Sequence, residues 1–199
     1  MTPQAKTRIG SSFTRGMSVV LASVLLLQGC AVAVVGASAL GVKAATDRRS
    51  IGTQMDDQTL EFRAQRAISE SEDLGATRVV AVAYNEAVLL VGQALSQERK
   101  IQAERLVRQQ QGIDQIHNEI RIGNPISITT RTHDSWLTSK VKTKLLSEKD
   151  IDGSQIKVVT ENGEVFLMGI VANDEAELAV EIVRNISGVK RVVTAFNSP

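Results

Sequence analysis

Cysteine occurs once in the 199 residues, at Cys30, so no disulfide can form within the chain. Histidine occurs twice, His117 and His133, and tryptophan once, Trp136. So small a stock of thiol and imidazole gives no Cys/His cluster with metal-ligand spacing. No P-loop and no GxGxxG motif is present. Asp150, Asp152 and Gly153 hint at a calcium loop without meeting the EF-hand pattern. A histidine in a strand, as expected for His117, is more often a satisfied side chain than a base, and His133 falls in an expected linker. Glu161 and Glu164 flank an expected turn and read as solvated. Catalysis is therefore not expected, and neither a metal nor a cofactor is called for.

Acid is missing from one end. Residues 1–46 hold no Asp or Glu, while Lys6, Arg8 and Arg15 make the first sixteen residues basic. The apolar run that follows, "MSVVLASVLLL" (Met17 to Leu27), is too short to span a bilayer. A basic start, a short apolar core and then small residues spell a secretory signal. "LQGC" (Leu27 to Cys30) resembles the lipobox of bacterial lipoproteins. That resemblance implies cleavage before Cys30, a diacylglycerol on its thiol and an acyl chain on its new amino group. Two or more chains make anchoring stable where one is marginal. Residue 31 is Ala, not the Asp that holds enterobacterial lipoproteins in the inner membrane, so the implied address is the outer membrane, facing the periplasm. Losing residues 1–29 removes three of the 23 basic residues and none of the 22 acidic ones, for a net charge of −2. No strongly basic domain remains, so nucleic acid is not an expected partner.

The rest of the chain repeats. "DDQTLEFRAQRAISESEDLGATRVVAVAYNEAVLLVG" (Asp56 to Gly92) aligns without a gap on "HDSWLTSKVKTKLLSEKDIDGSQIKVVTENGEVFLMG" (His133 to Gly169), 77 positions on. Asp57 falls on Asp134, Leu60 on Leu137, Asn85 on Asn162 and Gly92 on Gly169. After the loss of one residue, "GIDQIHNEIR" falls on "GVKRVVTAFN". This is a duplication. Each copy reads helix, strand, strand, helix, strand. Asp57 and Asp134 are expected as helix N-caps, with the second copy's helix starting near Ser135. Leu137, Val141 and Leu145 form its core stripe. Asn162-Gly163 is a strong hairpin signal, and "YNEAV", which lacks the glycine, predicts a looser or different turn in the first copy. Gly112 and Gly188 stand where C-terminal caps belong.

The element order, the "GVKRV" run after the second helix and the "EVFLMG" strand resemble the BON domain. Lipobox, tether and two units in this order resemble the dual-BON outer-membrane lipoproteins. The expected fold class is α+β, two tandem sandwiches each with two helices on a three-stranded mixed sheet. The expected organisation is a signal over residues 1–29, a lipidated tether over 30–55, BON domain 1 over 56–123, a linker over 124–133 and BON domain 2 over 134–197. The resemblance implies phospholipid binding, a part in outer-membrane integrity and association with the β-barrel assembly machinery.

One constellation differs between the copies. Trp136 replaces Thr59, and Trp136, Lys140 and Lys144 recur every four residues beside the core stripe, with Lys142 further round. An amphipathic ring among ammonium groups suits the boundary between headgroups and acyl tails, so these four residues are the expected contact with anionic phospholipid. Two other roles stand beside it. Trp136 could pack on the other unit or the linker, or it could anchor a protein interface in an adaptor of the assembly machinery.

Overall fold

A computed structural model describes residues 49–197; Cys30, the signal and residues 30–48 of the expected tether lie outside them. The first unit runs α1 (Ile51–Ser69), β1 (Arg78–Tyr84), β2 (Ala87–Ala94), α2 (Gln97–Arg108), β3 (Gln115–Asn118) and β4 (Arg121–Ile122). The second runs α3 (Ile128–Ser147), β5 (Ile156–Glu161), β6 (Glu164–Ile170), α4 (Asn173–Arg184) and β7 (Arg191–Asn197). In each, an antiparallel hairpin is joined by a parallel third strand on the far side of its second strand. The registers match at an offset of 77 residues: Val79 faces Gly92 as Ile156 faces Gly169. The motif glycine has a steric reason. A Cβ on Gly92 would lie 1.9 Å from the Arg78 carbonyl oxygen, and one on Gly169 2.6 Å from that of Gln155.

Both first helices begin earlier than Asp57 and Ser135. Ser50 and Ser127 are the N-caps, their hydroxyls accepting the N–H of Thr53 at 3.0 Å and of Thr130 at 3.1 Å. Residues 51–55 of the expected tether and 128–133 of the expected linker, His133 included, are therefore helical. Asp57 and Asp134 sit in the second turn, buried at 4% exposure, and do other work. Asp134 accepts the N–H of Asn162 at 2.7 Å and of Gly163 at 2.8 Å; Asp57 accepts those of Asn85 at 2.7 Å and Glu86 at 3.0 Å. Each carboxylate thus locks a hairpin turn with two charge-assisted bonds. This corrects the expected difference between the turns. Asn85 and Glu86 have φ of 50° and 63°, like 52° and 76° at Asn162 and Gly163, so both turns are left-handed at both central residues without needing glycine in the first.

The third strand of the first unit is split. The Asn118 side chain accepts the N–H of Ile120 at 3.3 Å and donates to Glu104 at 2.9 Å, which interrupts the ladder between β3 and β4. β7, with Thr194 at that position, runs unbroken.

Alternation along the strands makes three cores. Val79, Ala81, Ala83, Val88 and Leu90 point to α1 and α2; Val158, Val165 and Leu167 point to α3 and α4. The opposite faces, with Val82, Tyr84, Leu89 and Val91 from one sheet and Phe166, Met168 and Ala195 from the other, pack together. The result is four layers, helices–sheet–sheet–helices, and β1 and β2 are buried on both faces. Polar pairs rim the seam. Glu161, 5% exposed and not solvated as expected, takes Arg78 Nη1 at 2.6 Å and Gln93 Nε2 at 2.8 Å. Tyr84 donates its hydroxyl to the Gln155 carbonyl at 3.0 Å, and Arg121 reaches Glu164 at 2.6 Å.

Candidate functional site

Leu137, Val141 and Leu145 are fully buried against the second sheet, which fixes the rotation of α3. Trp136, one residue before that stripe, is turned to the outside and is 55% exposed. The first unit lies on the other side of the sheet, and of the expected linker residues His133 meets the ring. Two neighbours hold the ring. Lys140 Nζ is 4.9 Å from its centroid, a cation–π contact, and the His133 ring is 5.6 Å away and tilted by 43°. Lys140 also donates to the Ser187 carbonyl at 3.2 Å, tying α3 to the loop between α4 and β7. The Gly188 position lies against His133 and Leu137.

Lys144 is exposed, 3.9 Å from Glu148. Lys142 is exposed on the other flank of the helix, about 120° round from Trp136 at 100° per residue. The structure thus joins Trp136 and Lys140 directly and sets Lys142 and Lys144 on either side of them. Two apolar side chains share the outer face, Ile128 at 73% and Leu146 at 62% exposure. With Arg131, α3 carries four cations, Lys140 half-buried and the other three exposed, and its one acid, Asp134, is buried with both oxygens engaged. Ile128 and His133 precede the expected helix start at Ser135 and so were not expected on this face; the parallel "SIGT" and "SITT" at Ser50 and Ser127 carry the signal for the earlier start.

The first unit supplies a control built into the same chain. Arg63 donates to the Gln111 carbonyl at 3.0 Å, the counterpart of Lys140 on Ser187. Thr59 stands where Trp136 does, and the ring's place is a cavity of about 240 Å³ lined by Asp56, Thr59, Arg63, Glu86, Gln111 and Gly112. Asp56 and Glu86 are exposed carboxylates at the positions of His133 and Gly163. The same scaffold is therefore acidic and recessed in one unit, cationic and aromatic in the other.

His117 and His133 lie in different units. Burial pushes the His117 imidazole below its ordinary pKa, opposed by the nearby Glu119 charge. Glu104, held by Asn118 and Arg108, lies below the ordinary carboxylate range. Among the described residues no group of three or more His, Cys, Asp or Glu could hold a metal ion.

A sequence profile of the BON domain matches residues 56–124 and 133–197. The chain is 40% identical over 181 residues to "Outer membrane lipoprotein DolP" of Haemophilus influenzae, covering 90% of this chain and 94% of that one. It is 41% identical over 152 residues to "21 kDa hemolysin" of Actinobacillus pleuropneumoniae, covering 76% and 78%. It is 24% identical over 155 residues to "Osmotically-inducible protein Y" of Escherichia coli, covering 76% and 77%. None of the three names is that of an enzyme.

Proposed function

Since the chain belongs to the BON-domain family and carries the domain twice, we propose that it is a non-enzymatic lipoprotein of the outer membrane, anchored through Cys30 and facing the periplasm. Its second domain docks on anionic phospholipid through Trp136, Lys140, Lys142 and Lys144 and so supports the integrity of that membrane. The name of the DolP relative supports the address. The observation that carries the docking is the outer face of α3: a half-exposed indole seated on a lysine, with exposed cations and no exposed acid.

Magnitudes agree with a tethered protein. Three lysines near an anionic surface contribute about 3 kcal/mol together, roughly a hundredfold. That is feeble for a free protein. An anchored one meets headgroups at an effective concentration of order millimolar, where weak contact suffices. The anchor keeps the protein on the membrane, and α3 orients it there.

Residues 31–199, which contain all three cores, carry a single tryptophan, so its fluorescence reads this face alone. Trp136 emission should be that of a solvated indole in buffer and shift to the blue with vesicles containing phosphatidylglycerol, but not with phosphatidylcholine alone. Salt should reverse the shift, and Lys140→Glu with Lys144→Glu should abolish it. No shift with either vesicle sinks the lipid reading and leaves Trp136 as a contact for a protein partner, the adaptor role.

A further inference from the structure

The cavity of the first unit holds no ring where the second unit has Trp136. It measures about 240 Å³. A cavity of about 150 Å³ already takes benzene, so an indole has room here. Arg63 lines it and is only partly satisfied. Its Nη2 donates to the Gln111 carbonyl at 3.0 Å, while its Nε is buried and meets no hydrogen-bond partner among the described residues. An aromatic ring is a partner that a guanidinium accepts, face to face or through an N–H aimed at the ring. The corresponding cation of the second unit has that partner already, Lys140 Nζ lying 4.9 Å from the Trp136 centroid.

The rims are charged oppositely. Asp56 and Glu86 are exposed beside the cavity, and the Asp114 N–H donates to the Glu86 carbonyl at 2.9 Å, which brings a third exposed carboxylate alongside. The same backbone bond in the second unit runs from Lys190 to the Gly163 carbonyl, also at 2.9 Å, so an exposed ammonium stands where the first unit has Asp114. Where one unit carries Asp56, Glu86 and Asp114, the other carries His133, Gly163 and Lys190, with Lys140 and Lys144 on the Trp136 stripe. Three carboxylates turn away an anionic membrane and favour a cationic surface. The cavity lies with α1 and the Trp136 ridge with α3, in the two outer layers of the stack. A molecule therefore cannot fill its own cavity, but a second one can.

We propose that the cavity is a docking site for a second copy of this chain: Trp136 of one molecule enters the cavity of the next and packs on Arg63, with Asp56, Glu86 and Asp114 facing the cations around it. The contact is head-to-tail, so each pair keeps one unfilled cavity and one unused ridge and can take up further copies. One indole and a few charges make a weak contact in solution. Copies held on one membrane meet at a high effective concentration, where weak contact suffices. A ridge seated in a neighbour is withdrawn from lipid, so the two uses of Trp136 compete.

The test uses residues 31–199 in lipid-free buffer. At millimolar concentration the wild type should sediment faster than a monomer, and dilution or high salt should return it to one. Two variants each keep half of the contact. Trp136→Ala keeps the cavity and has no tryptophan; Asp56→Lys with Glu86→Lys keeps the ridge. All three side chains are exposed, so the cores are untouched. Each variant alone should remain monomeric at millimolar concentration. Mixed, they should form a species of two chains and no more, and the only tryptophan present should shift its emission to the blue. A wild type that stays monomeric, a variant that associates alone as the wild type does, or a mixture without the two-chain species or without the blue shift would each overturn the proposal. No readout involves a membrane, so it stands or falls independently of lipid docking.

Discussion

Glu86 keeps a backbone conformation that its own side chain opposes. At φ of 63° it has a Cβ crowding the following carbonyl, a cost of about 1–2 kcal/mol that glycine avoids. The turn survives because Asp57 receives both of its N–H groups, with Arg49 paired to the same carboxylate. Glu86→Gly should therefore stabilise the first unit by about 0.5–1 kcal/mol, read as a higher urea midpoint with an unchanged slope. An unaltered or lower midpoint would mean that the Glu86 side chain contributes more than its strain costs. Nothing in "YNEAV" announces this, since the residue that rescues the turn is 28 positions away in a helix.

Elements were legible where their signals are local. The alternation in β5 and β6, the four-residue stripe of α3 and the 77-residue repeat all lie in the sequence itself, and the strands pair as that repeat requires. Helix starts were not, because an aspartate that caps a helix and one that locks a distant turn look alike one residue at a time. Ser50 and Ser127 do the capping. What they hold differs from a core helix turn: Ile128, Arg131, Thr132 and His133 are all exposed, so the first two turns of α3 have little packing to fall back on. Ser127→Ala should cost these turns about 1 kcal/mol, and the loss should be local. Amide exchange at Arg131 to His133 should quicken several-fold while that at Val141 and Leu145 stays as it was. Uniform quickening along the helix would place its stability in the cap and not in the buried stripe.

At the scale of the molecule, helices on each sheet were expected, and the runs "VVAVAY" and "AVLLV" in fact form strands buried on both faces. What covers the second face is a non-local fact, and one chain read in order does not disclose it. The covering is the other copy of the same sheet, so the two units share a core and should unfold together in one transition. Glu161 tests that union. It is buried at the seam, takes Arg78 and Gln93 from the first unit, and through the Gln93 Oε1 that accepts the Ile126 N–H it reaches the connection between units. The pair itself adds modestly over an apolar filling, but removing one partner strands the other's charge, which costs about 3–5 kcal/mol when fully buried and less here, since the Arg78 side chain keeps 25% exposure. Glu161→Ala should thus lower the unfolding free energy by about 2–3 kcal/mol. Adding Arg78→Ala should return part of that loss, giving a coupling of about 1–2 kcal/mol in a double-mutant cycle. Two separated transitions in the wild type would mean that the sheet-to-sheet core is too weak to make the units one, and additive single changes would mean that Arg78 finds water as readily as Glu161.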